Sequence, residues 1–301
     1  MPILDDNGRA AVLMLACMAA FTVNDTFMKL LGAEFPLFQV MFLRGLVIIV
    51  VFLLVARRMG LLRVRVMPGD GWKLALRTFA EAASAALFLS ALFNMPLANA
   101  TAIIQLVPLT VTLGAALFLG EAVGWRRMLA IVAGFAGVLL IVQPGTDGFD
   151  RWSVLALLSV LFFTLRELVT RRMSGGISTL VVATAGAAGV TVVGAAGSLA
   201  GPWVPMTAQA WIWLSGAILS VGLAYLLSVV AVRIGDMGFV APFRYSGLLW
   251  ALILGWAVFG DWPDMVTLVG AAIVVGAGLF TFARERRVAR QPVATESDPR
   301  L

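Results

Sequence analysis

The sequence predicts an all-α polytopic membrane protein with ten transmembrane helices arranged as two inverted five-helix repeats, and three observations lead there. The 301 residues are 61% hydrophobic and 13% charged, against about a quarter charged in ordinary soluble domains. Apolar stretches of roughly 20 residues, enough to cross about 30 Å of hydrocarbon, recur along nearly the whole chain with short links between them. Short polar motifs in the first half return in the second.

Apolar runs bounded by charges, Pro and Gly place ten spans at 9–31, 35–56, 72–93, 97–119, 124–142, 152–172, 178–199, 209–231, 237–259 and 264–283. The third and fourth are separated only by Asn94-Met95-Pro96, and the fourth and fifth by Gly120-Glu121-Ala122-Val123, so these neighbours must be antiparallel hairpins. No room remains for a separate soluble domain. The N-terminal segment, with Asp5, Asp6 and an apolar run continuing past Cys17, reads as the first span rather than a cleaved signal.

The net charge of +6 fits membrane orientation better than nucleic acid, because the cations sit in short links and the tail. Arg57, Arg58, Arg63, Arg65 and Lys73 lie between spans two and three, Arg126 and Arg127 between four and five, Arg171 and Arg172 between six and seven, and Arg233 after span eight. The tail adds Arg284, Arg286, Arg287 and Arg290. The opposite links hold little positive charge beyond Lys29 and Arg151, and carry Asp147, Asp150, Asp261 and Asp264. Both termini are expected in the cytoplasm, with 284–301 a basic cytoplasmic tail and the inner (plasma) membrane as the setting.

The internal repeat rests on two displacements. Phe21-Thr22-x-x-Asp25-x-x-x-Lys29 returns 142 residues later as Phe163-Thr164-x-x-Glu167-x-x-x-Arg171, and Gly120-Glu121 returns 140 residues later as Gly260-Asp261. The expected units are 9–142 and 152–283. An odd number of spans per unit makes the two copies enter the membrane from opposite sides, the inverted arrangement of alternating-access carriers.

This pattern resembles the EamA-type proteins of the drug/metabolite transporter superfamily. The residues that carry the resemblance are Pro108 with Leu119-Gly120-Glu121 and a Gly-punctuated fifth span (Gly134, Gly137), matched by Phe259-Gly260-Asp261 and Gly270, Gly276 and Gly278. It covers roughly 9–283, and Asp261 stands where the family pattern has Glu. The resemblance implies ten helices, a central cavity, alternating access and cargo drawn from a wide range of small metabolites.

Charged side chains in hydrocarbon cost about 2.5–3.5 kcal/mol each on insertion scales, so those retained should face a cavity or a partner. At about 1.5 Å per residue, Arg44 lies roughly 12 Å inside one face and Glu81 about 13 Å inside the other, both near the midplane. With Arg77, Gln105, Arg244, Tyr245 and Trp250 they are the substrate-binding candidates. Arg77 and Glu81, four apart on one helical face, either pair with each other or serve the site. Arg44 either binds ligand or bonds Glu81 or Asp25 across helices. Gln105 and Tyr245, 140 residues apart, should occupy opposite walls of one cavity, with Pro108 and Pro242 freeing backbone carbonyls nearby. Trp250 either lines that cavity or packs toward lipid. Asp25 and Glu167, with Asn24 and Arg166, are gate or proton-coupling candidates. The simplest structural reading has Asp25 bonding Lys29 and Glu167 bonding Arg171 at i, i+4.

The function expected is a secondary active transporter of a small organic metabolite, with a non-transporting receptor or structural protein, or less readily a membrane-embedded enzyme, as alternatives. There is no phosphate-cradling Gly-rich loop, one cysteine and no histidine, so no enzyme activity, cofactor or metal is expected. A surplus of intramembrane Arg suggests cargo bearing a carboxylate or other anionic group, and the resemblance to EamA-type proteins implies amino-acid-like or vitamin/cofactor-like cargo. Lipid is the other partner, and the chain is expected as a monomer or homodimer.

Overall fold

The computed structural model describes residues 6–58, 69–121, 123–143, 150–174, 177–235 and 237–289. Arg63, Arg65, Asp147, Arg290 and the tail beyond residue 289 lie outside them. All secondary structure among the described residues is helical: α1 (Asp6–Gly32), α2 (Leu37–Arg58), α3 (Gly71–Asn94), α4 (Leu97–Ile104), α5 (Val107–Leu119), α6 (Trp125–Val142), α7 (Arg151–Arg171), α8 (Thr179–Ser198), α9 (Ala208–Ile234), α10 (Met237–Val240), a 3-10 turn (Ala241–Tyr245), α11 (Ser246–Phe259) and α12 (Met265–Ala289). Nine helical stretches among these residues are long and apolar enough to cross a membrane, and Met265–Thr281 adds a shorter apolar one. This is an all-α polytopic membrane protein.

Two spans read as continuous are broken. The fourth divides at Gln105 and Leu106, where Pro108 at the start of α5 lacks the N–H that would close a bond to Ile104 and Leu106 N bonds Ile103 O at 3.1 Å instead. The ninth divides through the 3-10 turn that contains Pro242. Both breaks fall in the first half of their spans, each followed by the longer helical segment.

The helix packing has a simple symmetry. The most extensive contacts are α1 on α9, α2 on α8, α3 on α7 and α6 on α12, and α4 on α11 is a smaller one, exceeded by α3 on α8. Counted as spans, these are one with eight, two with seven, three with six, five with ten and four with nine. Adding five to each index, modulo ten, returns the same set. Small residues permit the close approaches. A side chain at Gly194 of α8 would meet the Phe42 backbone N of α2 at 2.6 Å, and one at Gly189 would meet Thr78 of α3 at 2.5 Å. The Gly/Ala runs of the seventh span are thus used inside the molecule. α6 and α12 touch backbone to backbone, the Gly137 position facing Gly270 O at 2.7 Å and the Gly270 position facing Gly137 O at 2.5 Å.

Two clasps tie links to helices. Asp70, just before α3, pairs through Oδ1 with Lys73 Nζ at 2.8 Å, and its Oδ2 accepts from Ser174 N at 3.1 Å and from the Ser174 hydroxyl after α7. These hydrogen bonds, that from Lys73 first, hold its carboxyl at about 2, below the usual 3.8. Near the start of α2, the Gln39 amide donates to Val204 O at 2.6 Å and accepts from Val204 N at 2.9 Å, holding the link before α9. Trp72, Trp125, Trp203, Trp211 and Trp262 are exposed near helix ends, as an interfacial belt requires.

Gly270→Leu should force α6 and α12 apart and lower the apparent melting temperature in detergent by several degrees, with a cost of about 1–3 kcal/mol typical of overpacking. Asp70→Asn should lower the melting temperature at pH 7. Because the folded carboxyl sits below its unfolded value, the wild-type advantage should be full above about pH 4 and shrink as pH falls toward 2.

Candidate functional site

The intramembrane charges gather into one network between the halves and one couple beside it. On α3, Arg77 Nη2 and Glu81 Oε2 pair at 3.2 Å, the i, i+4 contact their spacing predicts. Glu81 Oε1 also takes Arg166 Nη1 of α7 at 3.1 Å, and Arg166 Nη2 reaches Glu167 Oε1 at 2.6 Å. The Arg166 guanidinium lies over the Phe163 ring, 4.9 Å from its centroid. Arg77 further donates to Val182 O of α8 at 3.4 Å. Two arginines and two carboxylates therefore neutralise one another, which narrows the surplus of positive charge to Arg44 and Arg244.

Asp25 and Arg44 form the second group. Asn24 Nδ2 donates to Asp25 Oδ1 at 2.8 Å, and Arg44 of α2 interacts electrostatically with Asp25 and with Tyr225. Tyr225 of α9 was missed by sequence reasoning. Its ring stands edge-on to Phe21 of α1 at 5.5 Å, and its hydroxyl lies in the field of Arg44, Arg77, Glu81 and Arg166. It is 58% exposed. Exposure amid four charged side chains makes Tyr225 a candidate for the wall of a polar cavity, because a lipid-facing position would leave those charges in hydrocarbon. The available signal was that Tyr225, one of only two tyrosines, is a polar side chain in the interior of a span, as Tyr245 is.

The expected i, i+4 pairs of the repeated motif do not form. Glu167 goes to Arg166, and Arg171 Nη1 pairs with Glu121 Oε1 at 3.3 Å. Lys29 donates to Met95 O at 2.5 Å, lies 5.2 Å from the Phe259 ring centroid and interacts electrostatically with Asp261. The physical reason is the break between spans. Each motif helix runs beside the broken span of the other half, whose exposed end offers a better partner than the next turn of its own helix. Thr22 Oγ1 accordingly reaches Gly247 O of α11 at 3.4 Å, and Thr164 Oγ1 meets Thr110 Oγ1 of α5 at 2.6 Å. Gly120 and Gly260 both end their helices at φ 71°, a left-handed turn that glycine adopts without strain and that delivers the following acid to the motif cation.

The two breaks meet. Gln105 Nε2 donates to Arg244 O at 3.3 Å, bonding one broken span to a carbonyl of the other. Arg244 itself is exposed and interacts electrostatically with Cys17. Tyr245 is buried with its hydroxyl against Gly278 of α12. Trp250 Nε1 donates to Leu15 O of α1 at 3.2 Å, so it braces α11 on α1. Gln105 and Arg244 come together, while Tyr245 and Trp250 point into helix contacts. Among the described residues no group of three His, Cys, Asp or Glu is placed to hold a metal.

Known proteins fit this architecture. The model of the EamA-like transporter family matches residues 8–143. A riboflavin transporter of Rhizobium johnstonii is 30% identical over 78% of this chain and 78% of its own length. A riboflavin transporter of Vibrio cholerae is 28% identical over 94% and 96%, and an S-adenosylmethionine uptake transporter of Rickettsia felis is 26% identical over 64% and 65%. A solved crystal structure with 17% identity shares the fold at a TM-score of 0.65, covering 93% of this chain and 98% of that one. With a relative this similar over more than two thirds of both chains, the protein belongs to the EamA-like transporter family of the drug/metabolite transporter superfamily.

Proposed function

We propose that this chain is a secondary active transporter that moves a small organic metabolite, of the carboxylate-bearing, amino-acid-like or vitamin-like kind, across the inner membrane by alternating access. One observation carries the reading: each motif cation is directed toward the acid that follows the glycine end of the other half's broken span, one by a direct ion pair and the other electrostatically, at opposite ends of the molecule. Arg171 meets Glu121 at one end, and Lys29 interacts with Asp261 at the other. Two five-helix units, 9–142 and 152–283, inverted with respect to each other and with both termini in the cytoplasm, would place these contacts at the inner and outer entrances of a cavity walled by Arg44, Glu81 and Tyr225. Opening one entrance while the other stays shut then requires only an exchange of conformations between similar halves. The exposed Arg171–Glu121 contact has the modest strength suited to repeated opening. Should transport be coupled to protons, Asp25 and Glu167 are the acids placed for it, since the chain has no histidine. Relatives named for riboflavin and S-adenosylmethionine support a metabolite cargo.

Counterflow into proteoliposomes tests this directly, with a metabolite set that includes riboflavin and the amino acids. Exchange of no compound would overturn the reading. For a compound that exchanges, Arg44→Gln or Arg244→Gln should weaken binding about tenfold, as expected for loss of a charged hydrogen bond. The entrances can be locked separately after Cys17→Ala removes the single cysteine. Cysteines at 121 and 171, or at 29 and 261, bridged by a flexible bis-methanethiosulfonate, should each arrest counterflow until dithiothreitol is added. Transport continuing through both locks would exclude alternating access at these contacts.

A further inference from the structure

Of the three acids inside the membrane region, Asp25 is the one that makes no direct ion pair. Glu81 and Glu167 are each in contact with an arginine, whereas Asp25 meets Arg44 only electrostatically and takes its hydrogen bond from neutral Asn24. Opposite charges in a medium of low dielectric attract strongly, so a separation persists only if the scaffold holds them apart. It does so here. Asp25 rides on α1, packed along α9, and Arg44 on α2, packed along α8, where Gly45 faces Thr191 and Gly194 faces the Phe42 backbone.

Two further groups at this place are unsatisfied. Asn24 is 4% exposed, and its Oδ1 has no hydrogen-bond partner because its Nδ2 is committed to Asp25. Arg44 Nε is likewise buried without one. Orphaned buried polar atoms are costly and uncommon, and they concentrate where a protein has a use for them. Their chemistry is complementary in kind. Asp25 and Asn24 Oδ1 offer only acceptors, which suit an ammonium, and Arg44 offers only donors in the fork that suits a carboxylate. Tyr225 and Phe21 supply aromatic surface beside them. Within the network and the couple the charges balance, Asp25, Glu81 and Glu167 against Arg44, Arg77 and Arg166, with Arg244 standing apart on the broken ninth span, so at this place a cargo of net charge would leave one charge unanswered.

We propose that Asn24, Asp25, Arg44 and Tyr225 form the cargo subsite and that it takes a small zwitterion, the ammonium on Asp25 and Asn24, the carboxylate on Arg44 and an apolar side group against Tyr225. This rests on the transporter reading and narrows its cargo to one charge pattern.

The test varies the ligand first, so it does not depend on any variant folding. Wild-type protein in detergent is screened by thermal shift at millimolar concentration against the L-amino acids, the amines formed by their decarboxylation and the acids that lack the amino group, with riboflavin alongside. At least one amino acid should raise the melting temperature, and its amine and its acid should each bind about tenfold more weakly or worse. Arg44→Gln should then remove the preference over the amine while keeping that over the acid. Asp25→Asn should do the reverse. Tyr225→Leu should weaken all three ligands together. No shift with any amino acid, or amines and acids binding as well as their parents, overturns the proposal. Riboflavin binding with counterflow in that case would leave the transporter reading standing, whereas absence of counterflow for every compound would remove that reading too.

Discussion

The contact on which most of the interior depends is that of Arg166 with Glu81, because hydrocarbon offers no water to solvate either. Glu81 belongs to the third span and Arg166 to the sixth, so this contact ties together two pairs, Arg77–Glu81 and Arg166–Glu167, that are each formed within one helix. Each carboxylate oxygen of Glu81 faces a different arginine. Removing any member would strand a charge in a medium where unpaired charges are expensive. The network therefore holds the third and sixth spans together, with Tyr225 in its field and the Asp25–Arg44 couple beside it.

The repeated motif acquires a physical meaning from the way the halves are interleaved. A threonine and a cation one to two turns apart on the first span of each half dock onto the broken span of the other half. The threonine finds the helix near its break, and the cation finds the acid just past its left-handed glycine end. The glycine and the acid are thus one device with two parts, since the turn that terminates the helix also aims the carboxylate. Pairing within a single helix would satisfy the same charges and would tie nothing together.

Much of this was legible in the residues. The spans and the concentration of charge on spans one, two, three and six follow from hydropathy and spacing, and the Arg77–Glu81 pair follows from a separation of four. What spacing could not convey was which helix lies beside which. Asp25 and Lys29 at i, i+4 look like a local pair until the neighbouring span is known to end in Asp261. Arg166, adjacent in sequence to Glu167, gives no sign that it also reaches Glu81, 85 residues away. Tyr245 and Tyr225 looked unequal in the opposite sense to their placement. Tyr245 drew notice, but its ring is packed against Gly278, and the unremarked tyrosine of α9 stands among the charged side chains.

The two clasps differ in a way that bears on the surroundings of a membrane protein. The one that holds Asp70 to Lys73 and Ser174 depends on a carboxylate and an ammonium, so salt and acid both bear on it. The one that holds Gln39 to Val204 is an amide paired with a peptide group and carries no charge at all. In the proposed orientation the neutral clasp faces outward, where a cell controls neither pH nor ionic strength, and the ionic clasp faces the buffered cytoplasm. The outer fastening would then keep the same strength in acid, brine or fresh water, and only the inner one would register a change in the state of the cell.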